Sequence, residues 1–378
     1  MYVNVILNIM LSISDIKIHN TDTLTFTLSG CNSSFVNALR RTILSEVETV
    51  SFNTDDYLTS DLKVIKNTCS LHNEFLLHRL GLIPINISDI AGFNPDKYKF
   101  ILKKENNGNS EIQVTTADFV VKNLETGETE DTKRFFPENP LTKDNILITI
   151  LKNNPKGDGE AINIEGKCSL GCGKDNSRFS PVSNVIFINK RDESASQKAF
   201  EDMIRSLPET PNETELKILA KRFDIEEADR YFHVDENGDP NVFHFEIESV
   251  GIIPPQLIFK TCIKKMVEKI TNFSKNLNAA LDSKPSSVTI RDSQSVMKGY
   301  DIIIENESHT LGFLLQSYIN KLEKDVFVGY MNPHPLEKRI KIRVNFNDDN
   351  INTVKTIFDK TTTYLIDVLN QLQTGFKV

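Results

Sequence analysis

The sequence has no tryptophan, few cysteines and a shortage of positive charge. Its 378 residues include five cysteines, an odd number with only two close together, which argues against a disulfide scaffold and favours reduced thiols. Lysine and arginine (44) are outnumbered by aspartate and glutamate (52). This balance disfavours a surface that wraps nucleic acid, which needs clustered basic residues. No run approaches the roughly 18 apolar residues of a membrane span.

Metal ligands are scarce. A structural zinc site needs four ligands, usually as two close pairs. Cys168 and Cys172 supply one pair, and Cys69 with His72 would complete the set only if folding brought them together. Spare thiols are the simpler interpretation, so we expect no metal and no cofactor.

Catalytic motifs are missing as well. Gly173-Lys174 resembles the end of a phosphate-binding loop, but Cys168 stands where the first glycine belongs and Asp175 where a metal-binding hydroxyl belongs. The histidines lack the H-E-x-x-H spacing, and no nucleophile elbow, kinase set or dinucleotide fingerprint occurs. The sequence therefore predicts no catalytic residues and a protein that is not an enzyme.

The start of the chain is apolar from Tyr2 to Ile13. It lacks the basic first region and the small-residue cleavage site of a signal peptide. We expect either a buried first strand or a leader ahead of Met10. The sequence does not decide whether residues 1–9 belong to the ordered protein.

An internal repeat organises the rest of the chain. Each copy shows a strand pattern, a short amphipathic helix, a second strand and a long amphipathic helix. The later copy places these at Asp301–Ile304, Thr310–Lys324, Lys338–Phe346 and Ile351–Leu372. The earlier copy places them at Leu24–Leu28, Ser34–Glu46, Val242–Glu248 and a helix opened by Pro254-Pro255.

The spacing within the two copies is very unequal. The halves are separated by 13 residues in the later copy, between Lys324 and Lys338, and by 195 residues in the earlier one, between Glu46 and Val242. We therefore predict an α+β protein with one small unit at each end, the first interrupted by a mostly β insert. The predicted domains are residues 11–50 plus 242–283, the insert 51–241, and the second unit 284–378.

Both long helices carry apolar residues at alternating steps of three and four, the pattern of a helix that packs along a partner helix. Each stripe is too long for its own small unit to cover, so we predict that the units pack on each other as an intramolecular pseudo-dimer, with no homodimer. The alternative, that each helix packs only on its own sheet, stays open from periodicity alone. The predicted interface residues are Phe35, Leu39, Ile263, Met266, Ile270, Phe273, Leu277, Leu311, Leu315, Leu365, Val368 and Leu372.

Several segments together resemble the alpha-like assembly subunits of multi-subunit RNA polymerases. Phe35–Glu46 (FVNALRRTILSE) resembles the signature helix of the bacterial alpha subunit and its archaeal and eukaryotic counterparts. Asn67–Ile85 and Phe245–Pro255 resemble the third-largest subunit of RNA polymerase II. His309–Gly312 and Gly329–Leu336 resemble its small partner, the eleventh subunit. The chain therefore resembles a fusion of the two subunits.

The resemblance implies a non-catalytic scaffold that nucleates assembly of two large catalytic polymerase subunits. It also implies a small zinc-ribbon-type subunit as a partner, DNA contact only through the complex, and no membrane. Contacts with a large subunit are implied for Arg40, Arg41, Glu46, His78 and Arg79. From the residues alone, the arginine pair is either a solvated face or a site for partner carboxylates.

The resemblance also has limits. Many relatives carry a cysteine cluster for zinc or an iron–sulfur centre in the insert, whereas only Cys69, Cys168 and Cys172 occur here, so we expect that the metal was lost. The segment Lys167–Pro181 nevertheless resembles a loop of the family's insert. Such fusions are typical of large DNA viruses, which implies a viral polymerase in a cytoplasmic viral factory or virion, or alternatively in the nucleus. A second possible function is a free-standing transcription adaptor that reuses the fold.

Overall fold

The computed structural model describes residues 11–153, 159–208, 210–293, 298–346 and 350–377. Most of the apolar start of the chain lies outside these ranges. The strands are β1 (Ser12–His19), β2 (Thr23–Ser29), β3 (Glu48–Ser51), β4 (Leu62–Asn67), β5 (Tyr98–Glu105), β6 (Ile112–Thr115), β7 (Phe119–Asn123), β8 (Thr129–Glu130), β9 (Leu147–Leu151), β10 (Ala161–Gly166), β11 (Ser169–Cys172), β12 (Val182–Asn189), β13 (Val242–Ser249), β14 (Val288–Asp292), β15 (Gly299–Glu305), β16 (Phe327–Met331) and β17 (Arg339–Asn345). The α-helices are α1 (Ser33–Glu46), α2 (Asn73–Gly81), α3 (Thr132–Phe135), α4 (Glu193–Arg205), α5 (Glu213–Glu226), α6 (Pro255–Leu281), α7 (His309–Leu322) and α8 (Ile351–Gly375).

Two four-stranded sheets share one plan. Their strand orders are β1-β2-β13-β12 and β14-β15-β17-β16. A short helix follows the second strand of each copy (α1 and α7), and a long helix follows the last (α6 and α8). We call β1, β2, α1, β12, β13 and α6 the first repeat, and β14, β15, α7, β16, β17 and α8 the second repeat. The predicted α+β architecture with two similar units is confirmed, and each unit has two more strands than the pattern indicated.

The extra strands are the sheet edges. β12 and β14 show the irregular burial patterns BeeBeiei and Beiee, where B is buried, i intermediate and e exposed. Clean alternation, by contrast, marks β13, whose pattern is iBiBiBiB. An edge strand has a neighbour on one side only and loses the regular alternation by which strands are recognised in a sequence.

The structure differs from the predicted uninterrupted insert 51–241. β12 lies within that range but joins the first sheet beside β13. Comparison with the second repeat then gives two insertions, one between α1 and β12 and one between β12 and β13, the latter carrying α4 and α5. The chain accordingly divides into one compact unit of residues 1–42, 184–247 and 259–378, and another of residues 43–183 and 248–258. The predicted domain boundaries at residues 50 and 242 remain predictions.

The second compact unit is mostly β. Its five-stranded sheet has the order β4-β10-β5-β7-β8, and two further pairs are formed by β3 with β11 and by β6 with β9. Phenylalanines fill its core: the Phe52 ring lies 5.2 Å from that of Phe100, and Phe119 stacks on Phe136 at 4.9 Å. Such ring pairs add to the stabilisation that area burial provides.

The first repeat has its own aromatic core. On β2, Leu24, Phe26 and Leu28 are buried, and the Phe26 ring lies 5.1 Å from Phe245 of β13 and 4.7 Å from Phe259 of α6. The alternation that places these residues on one face is the pattern from which both strands were predicted.

Among the described residues, no helix is both long enough and apolar enough to cross a membrane.

An ion-pair cluster joins the central strands of the second sheet. Asp301 of β15 lies directly opposite Arg343 of β17, and its side chain is only 10% exposed. Arg343 donates two hydrogen bonds to this carboxylate at 2.6 and 2.8 Å, and Lys341 donates a third at 3.1 Å. The hydrogen bond from Arg343 is the largest cause that lowers the pKa of Asp301 below its ordinary value.

Replacing Asp301 with Asn should destabilise the protein by about 2 kcal/mol at pH 7, because it removes a charged acceptor between two cations. A lowered folded-state pKa means that the stabilisation is complete above the unfolded-state pKa of about 3.9 and is lost as the pH falls through the folded-state value. Urea midpoints of the variant and the native protein should therefore converge as the pH falls below about 4. The exposed Asp292→Asn is the control and should differ little from the native protein. A destabilisation of Asp301→Asn that stays constant from pH 7 to pH 3 would contradict this account.

Candidate assembly interface

The two short helices correspond residue by residue. α1 and α7 each have 14 residues. Aligned end to end, they have nearly the same burial, with Phe35 and Val36 at the positions of Leu311 and Gly312. Asn32 and Ser308 precede the two helices at equivalent positions. This match defines which residues of the two repeats are equivalent.

α1 and α7 contact each other. Nδ2 of Asn32 donates to Oγ of Ser317 at 2.8 Å, and Nε of Arg41 donates to Oγ1 of Thr310 at 2.7 Å. Between these two polar links, the Phe35 ring meets Tyr318 edge-on, with centroids 6.3 Å apart. The contact therefore joins the first repeat to the second.

The long helices α6 and α8 also contact each other. The Phe273 ring lies 5.6 Å from that of Phe358, and Nζ of Lys269 is 3.4 Å from the Glu307 carboxylate of the second repeat. Phe376, which follows α8, packs on Phe259 of α6 at 4.9 Å. The long helices thus touch each other, and α6 also packs on its own sheet through Phe259 and Phe26.

The predicted interface residues are all buried, between 0 and 7% exposed. Phe35 and Phe273 make ring contacts with the other repeat. Leu39 lies against α6, since its carbonyl oxygen is 3.5 Å from the Cys262 thiol. The assignment of the remaining aliphatic residues to the interface stays a prediction. Sequence reasoning missed the role of Phe376, which lies beyond the periodic stripe that was read from α8.

Phe273→Asp should destabilise the paired repeats by about 3–5 kcal/mol, because it removes a buried ring and places an unpaired carboxylate in the interface. Asn272→Asp is the control, since it adds the same charge at an exposed neighbour on α6. Urea unfolding and hydrogen exchange should show the loss in α6 and α8 while the β5–β7 peptides stay protected. Equal protection of α6 in the two variants would contradict the interface.

The predicted large-subunit contact residues of α1 have different surroundings. Arg40 is half-buried, and its guanidinium donates to Oδ1 of Asn37 on the same helix at 2.9 and 3.2 Å. Arg41 is exposed but reaches Thr310 of the second repeat. Arg41 was expected on a polar face away from the apolar stripe, whereas here it takes part in the contact between the repeats. Glu46 lies half-buried in the last turn of α1.

His78 and Arg79 are exposed on α2. Arg79 donates to the carbonyl oxygens of Ile148 and Leu147 on β9, each at 3.0 Å. Arg79 therefore has a structural role in the second compact unit, whereas His78 is available on the surface. For all five residues, contact with a large subunit stays a prediction.

The glycine loop after β11 packs against the end of α1. The backbone N–H of Lys174 donates to the Ser45 carbonyl oxygen at 3.0 Å, which satisfies one of the unpaired carbonyls of the helix end. A Cβ on Gly173 would lie 2.0 Å from the Leu44 carbonyl oxygen, and one on Gly171 would lie 2.7 Å from the Phe179 ring. These glycines allow close backbone approach, which explains the G-x-G-K and aromatic pattern without phosphate binding.

Arg178 was missed by sequence reasoning. Its side chain is 5% exposed and donates to the Phe52 carbonyl oxygen and to Oγ1 of Thr54, both at 2.8 Å, and it pairs with Asp55. Its guanidinium also packs closely against Gly81 at the end of α2, where a Cβ would lie 2.6 Å from Nη1. Nothing in the Lys167–Pro181 segment of the sequence distinguishes Arg178 from a surface arginine.

Arg178→Met should destabilise the second compact unit by about 2–3 kcal/mol, because it leaves the carbonyl oxygen of the buried Phe52 and the half-buried Thr54 hydroxyl without a charged donor. Arg134→Met removes a guanidinium that is 53% exposed in the same unit and should cost about 1 kcal/mol or less. Hydrogen exchange should show faster opening of β3 and α2 only in the Arg178 variant. Equal losses in both variants would remove the structural role of Arg178.

The cysteines of the second compact unit do not form a metal site. Cys168 lies in its hydrophobic core, and burial raises the pKa of its thiol to about 12. The Cys172 sulfur is 3.1 Å from the Asp175 carboxylate, whereas the Cys69 sulfur faces the Leu71 carbonyl oxygen and the Thr149 hydroxyl. Within the described ranges, no group of three or more His, Cys, Asp and Glu could hold a metal ion. The donors present do not fit a tetrahedral zinc site.

The geometry defines a protein built from two tandem copies of one dimerisation unit, paired within one chain through α1–α7 and α6–α8 contacts. Comparison with known proteins identifies the unit. Residues 25–270 match the RNA polymerase Rpb3/Rpb11 dimerisation domain, and residues 300–375 match a domain of the same description. The chain therefore belongs to the RNA polymerase Rpb3/Rpb11 dimerisation domain family.

Similarity to individual proteins supports this family assignment. The chain is 24% identical over 304 residues to the mouse DNA-directed RNA polymerases I and III subunit RPAC1, covering 70% of this chain and 84% of the relative. It is 24% identical over 274 residues to the DNA-directed RNA polymerase subunit Rpo3 of Pyrococcus horikoshii, covering 68% and 94%. A conjugation stage-specific protein of Tetrahymena thermophila is 31% identical over 180 residues, but these cover 43% of this chain and only 54% of that relative.

Proposed function

We propose that the chain is a non-catalytic assembly subunit of a DNA-directed RNA polymerase that carries both members of the alpha-like pair in one polypeptide. One observation carries the proposal: the family's dimerisation domain occurs twice, and its two copies contact each other within the chain. Relatives matched over most of their length are named as RNA polymerase subunits. Burial of the paired helices within one chain makes a preassembled platform, which needs no active site.

The partners we propose are the two large catalytic subunits and a small zinc-ribbon-type subunit. Arg40 supports a protein contact, since a half-buried guanidinium held by its own helix is positioned to bind a carboxylate with little loss of side-chain freedom. His78 offers an exposed group on α2. DNA would be contacted only through the complex.

We further propose that the chain arose by fusion of two subunits in a large DNA virus. The support is the occurrence of two family domains in tandem, together with an insert whose thiols do not fit a metal. A viral polymerase would act in a cytoplasmic viral factory or be packaged in the virion, and the alternative compartment is the nucleus.

Tagged protein purified from its native source should bring down the large polymerase subunits at equal stoichiometry. Arg40→Glu should weaken this assembly by about 2–5 kcal/mol, because it reverses a charge at the proposed contact. Arg205→Glu is the matched control, since Arg205 likewise has its partners on its own helix. Arg40 is a cleaner probe than Arg41 or Arg79, whose side chains hold other parts of this chain.

Two results would each contradict one part of the proposal, the scaffold role or the Arg40 contact. Substoichiometric recovery of polymerase subunits would favour the transcription adaptor. Normal assembly of Arg40→Glu, with a folded chain, would remove Arg40 from the contact surface while leaving the scaffold role intact.

A further inference from the structure

The two repeats share one fold, so three pairings are possible in principle. The first repeat can pair with the second, as observed, or like repeats from two copies of the chain can pair with each other. We infer that the residues at the contact between α1 and α7 select the mixed pair, which joins a first repeat to a second repeat. They disfavour both like pairs, in which two first repeats or two second repeats would meet. The equivalent positions, from the end-to-end alignment, are Asn32 and Ser308, Ser34 and Thr310, Phe35 and Leu311, Arg41 and Ser317, and Thr42 and Tyr318.

The aromatic contact needs one residue from each repeat. Phe35 meets Tyr318, whereas the equivalent residues Leu311 and Thr42 are smaller and also buried. A pair of first repeats with the same geometry would place Phe35 opposite Thr42 at both ends, leaving unfilled space. A pair of second repeats would place Tyr318 opposite Leu311 at both ends, without a ring partner. Either change loses ring–ring contact and packing in a buried interface.

The polar links have the same asymmetry. The long side chain of Arg41 reaches the hydroxyl of Thr310, and the short side chain of Ser317 is reached by the amide of Asn32. In a pair of first repeats, both ends would carry Arg41 opposite Asn32, so the Asn32 amide would face a second donor instead of the accepting hydroxyl of Ser317. In a pair of second repeats, Ser317 would face Ser308 and Thr310, and no long donor would span the gap. Each link therefore requires one partner of each kind.

The covalent connection does not by itself explain this complementarity. A short linker such as residues 282–287 already raises the effective concentration of one repeat at the other. When folding chains meet at high local concentration, the linker does not prevent two first repeats of different chains from associating through their exposed apolar helix surfaces. Side chains that fit only in the mixed arrangement reject such pairs by leaving polar groups and space unmatched.

The test uses the full chain with a protease site placed within residues 282–287. The protein is folded first, cleaved, and its complexes are weighed by native mass spectrometry across a dilution series. The native sequence should give only the mixed pair of one N-terminal and one C-terminal fragment. Arg41→Ser combined with Tyr318→Thr should weaken that pair at least about tenfold, because it removes one polar link and the ring contact. Asn320→Ser is the control, since it lies exposed on α7 one turn from Ser317.

A second measurement applies if the double variant fails to fold. Arg41→Ser, Thr310→Val and their combination in the uncut chain form a double-mutant cycle for urea unfolding. We expect non-additive losses, because each substitution removes the same link. Like-fragment dimers in the cleaved native protein, or strictly additive losses in the cycle, would overturn the inference. Neither outcome bears on polymerase assembly, so this inference and the proposed function can fail separately.

Discussion

The apolar stripes of α6 and α8 are too long for the sheets that carry them. α6 has 27 residues and α8 has 25, which correspond to roughly 40 Å of helix each. A four-stranded sheet is only about 15–20 Å wide, and strands of seven residues are about 23 Å long. Each long helix therefore projects beyond its own sheet. Covering the projecting apolar surface requires a second helix, and the contact of Phe273 with Phe358 provides it.

The pairing of the repeats leaves their other connections free to vary. In the second repeat, α7 is joined to β16 by residues 323–326, whereas the equivalent connection of the first repeat contains the whole five-stranded unit. Such an insertion is tolerated because loop-closure entropy grows slowly with length and the insert has its own aromatic core. The glycine loop and Arg178 then fix the local backbone around β3, the end of α1 and the end of α2.

Several equivalent positions of α1 and α7 carry side chains of different size or charge. At Phe35 and Leu311, Arg41 and Ser317, and Thr42 and Tyr318, one repeat has a large or charged residue and the other has a smaller one. In a two-fold symmetric dimer of identical units, the same pair of residues would face each other at both ends of the interface. The two copies here behave as complementary partners, and the complementarity is concentrated in a few residues of α1 and α7.

The sequence alone is enough to predict the central strands and the helices of each repeat. Buried central strands such as β13 and long helices such as α6 follow a strict period, because one of their faces is always in the core. It also determined the family, since FVNALRR and the segments around it lie within the matched domains. Burial of Phe35, Phe273 and Leu372 followed from the same periodicity.

Features without a regular period are visible only in the folded chain. β12 returns to the first sheet as an edge strand, so its irregular pattern gave no signal of pairing with β13. The hydrogen bonds of Arg41 to Thr310 and of Arg178 to Phe52 join residues more than 120 positions apart. A charged side chain has the same appearance in a sequence whether it is solvated or enclosed. Its role depends on which distant acceptors the fold brings within about 3 Å, and this is set by packing of the whole chain.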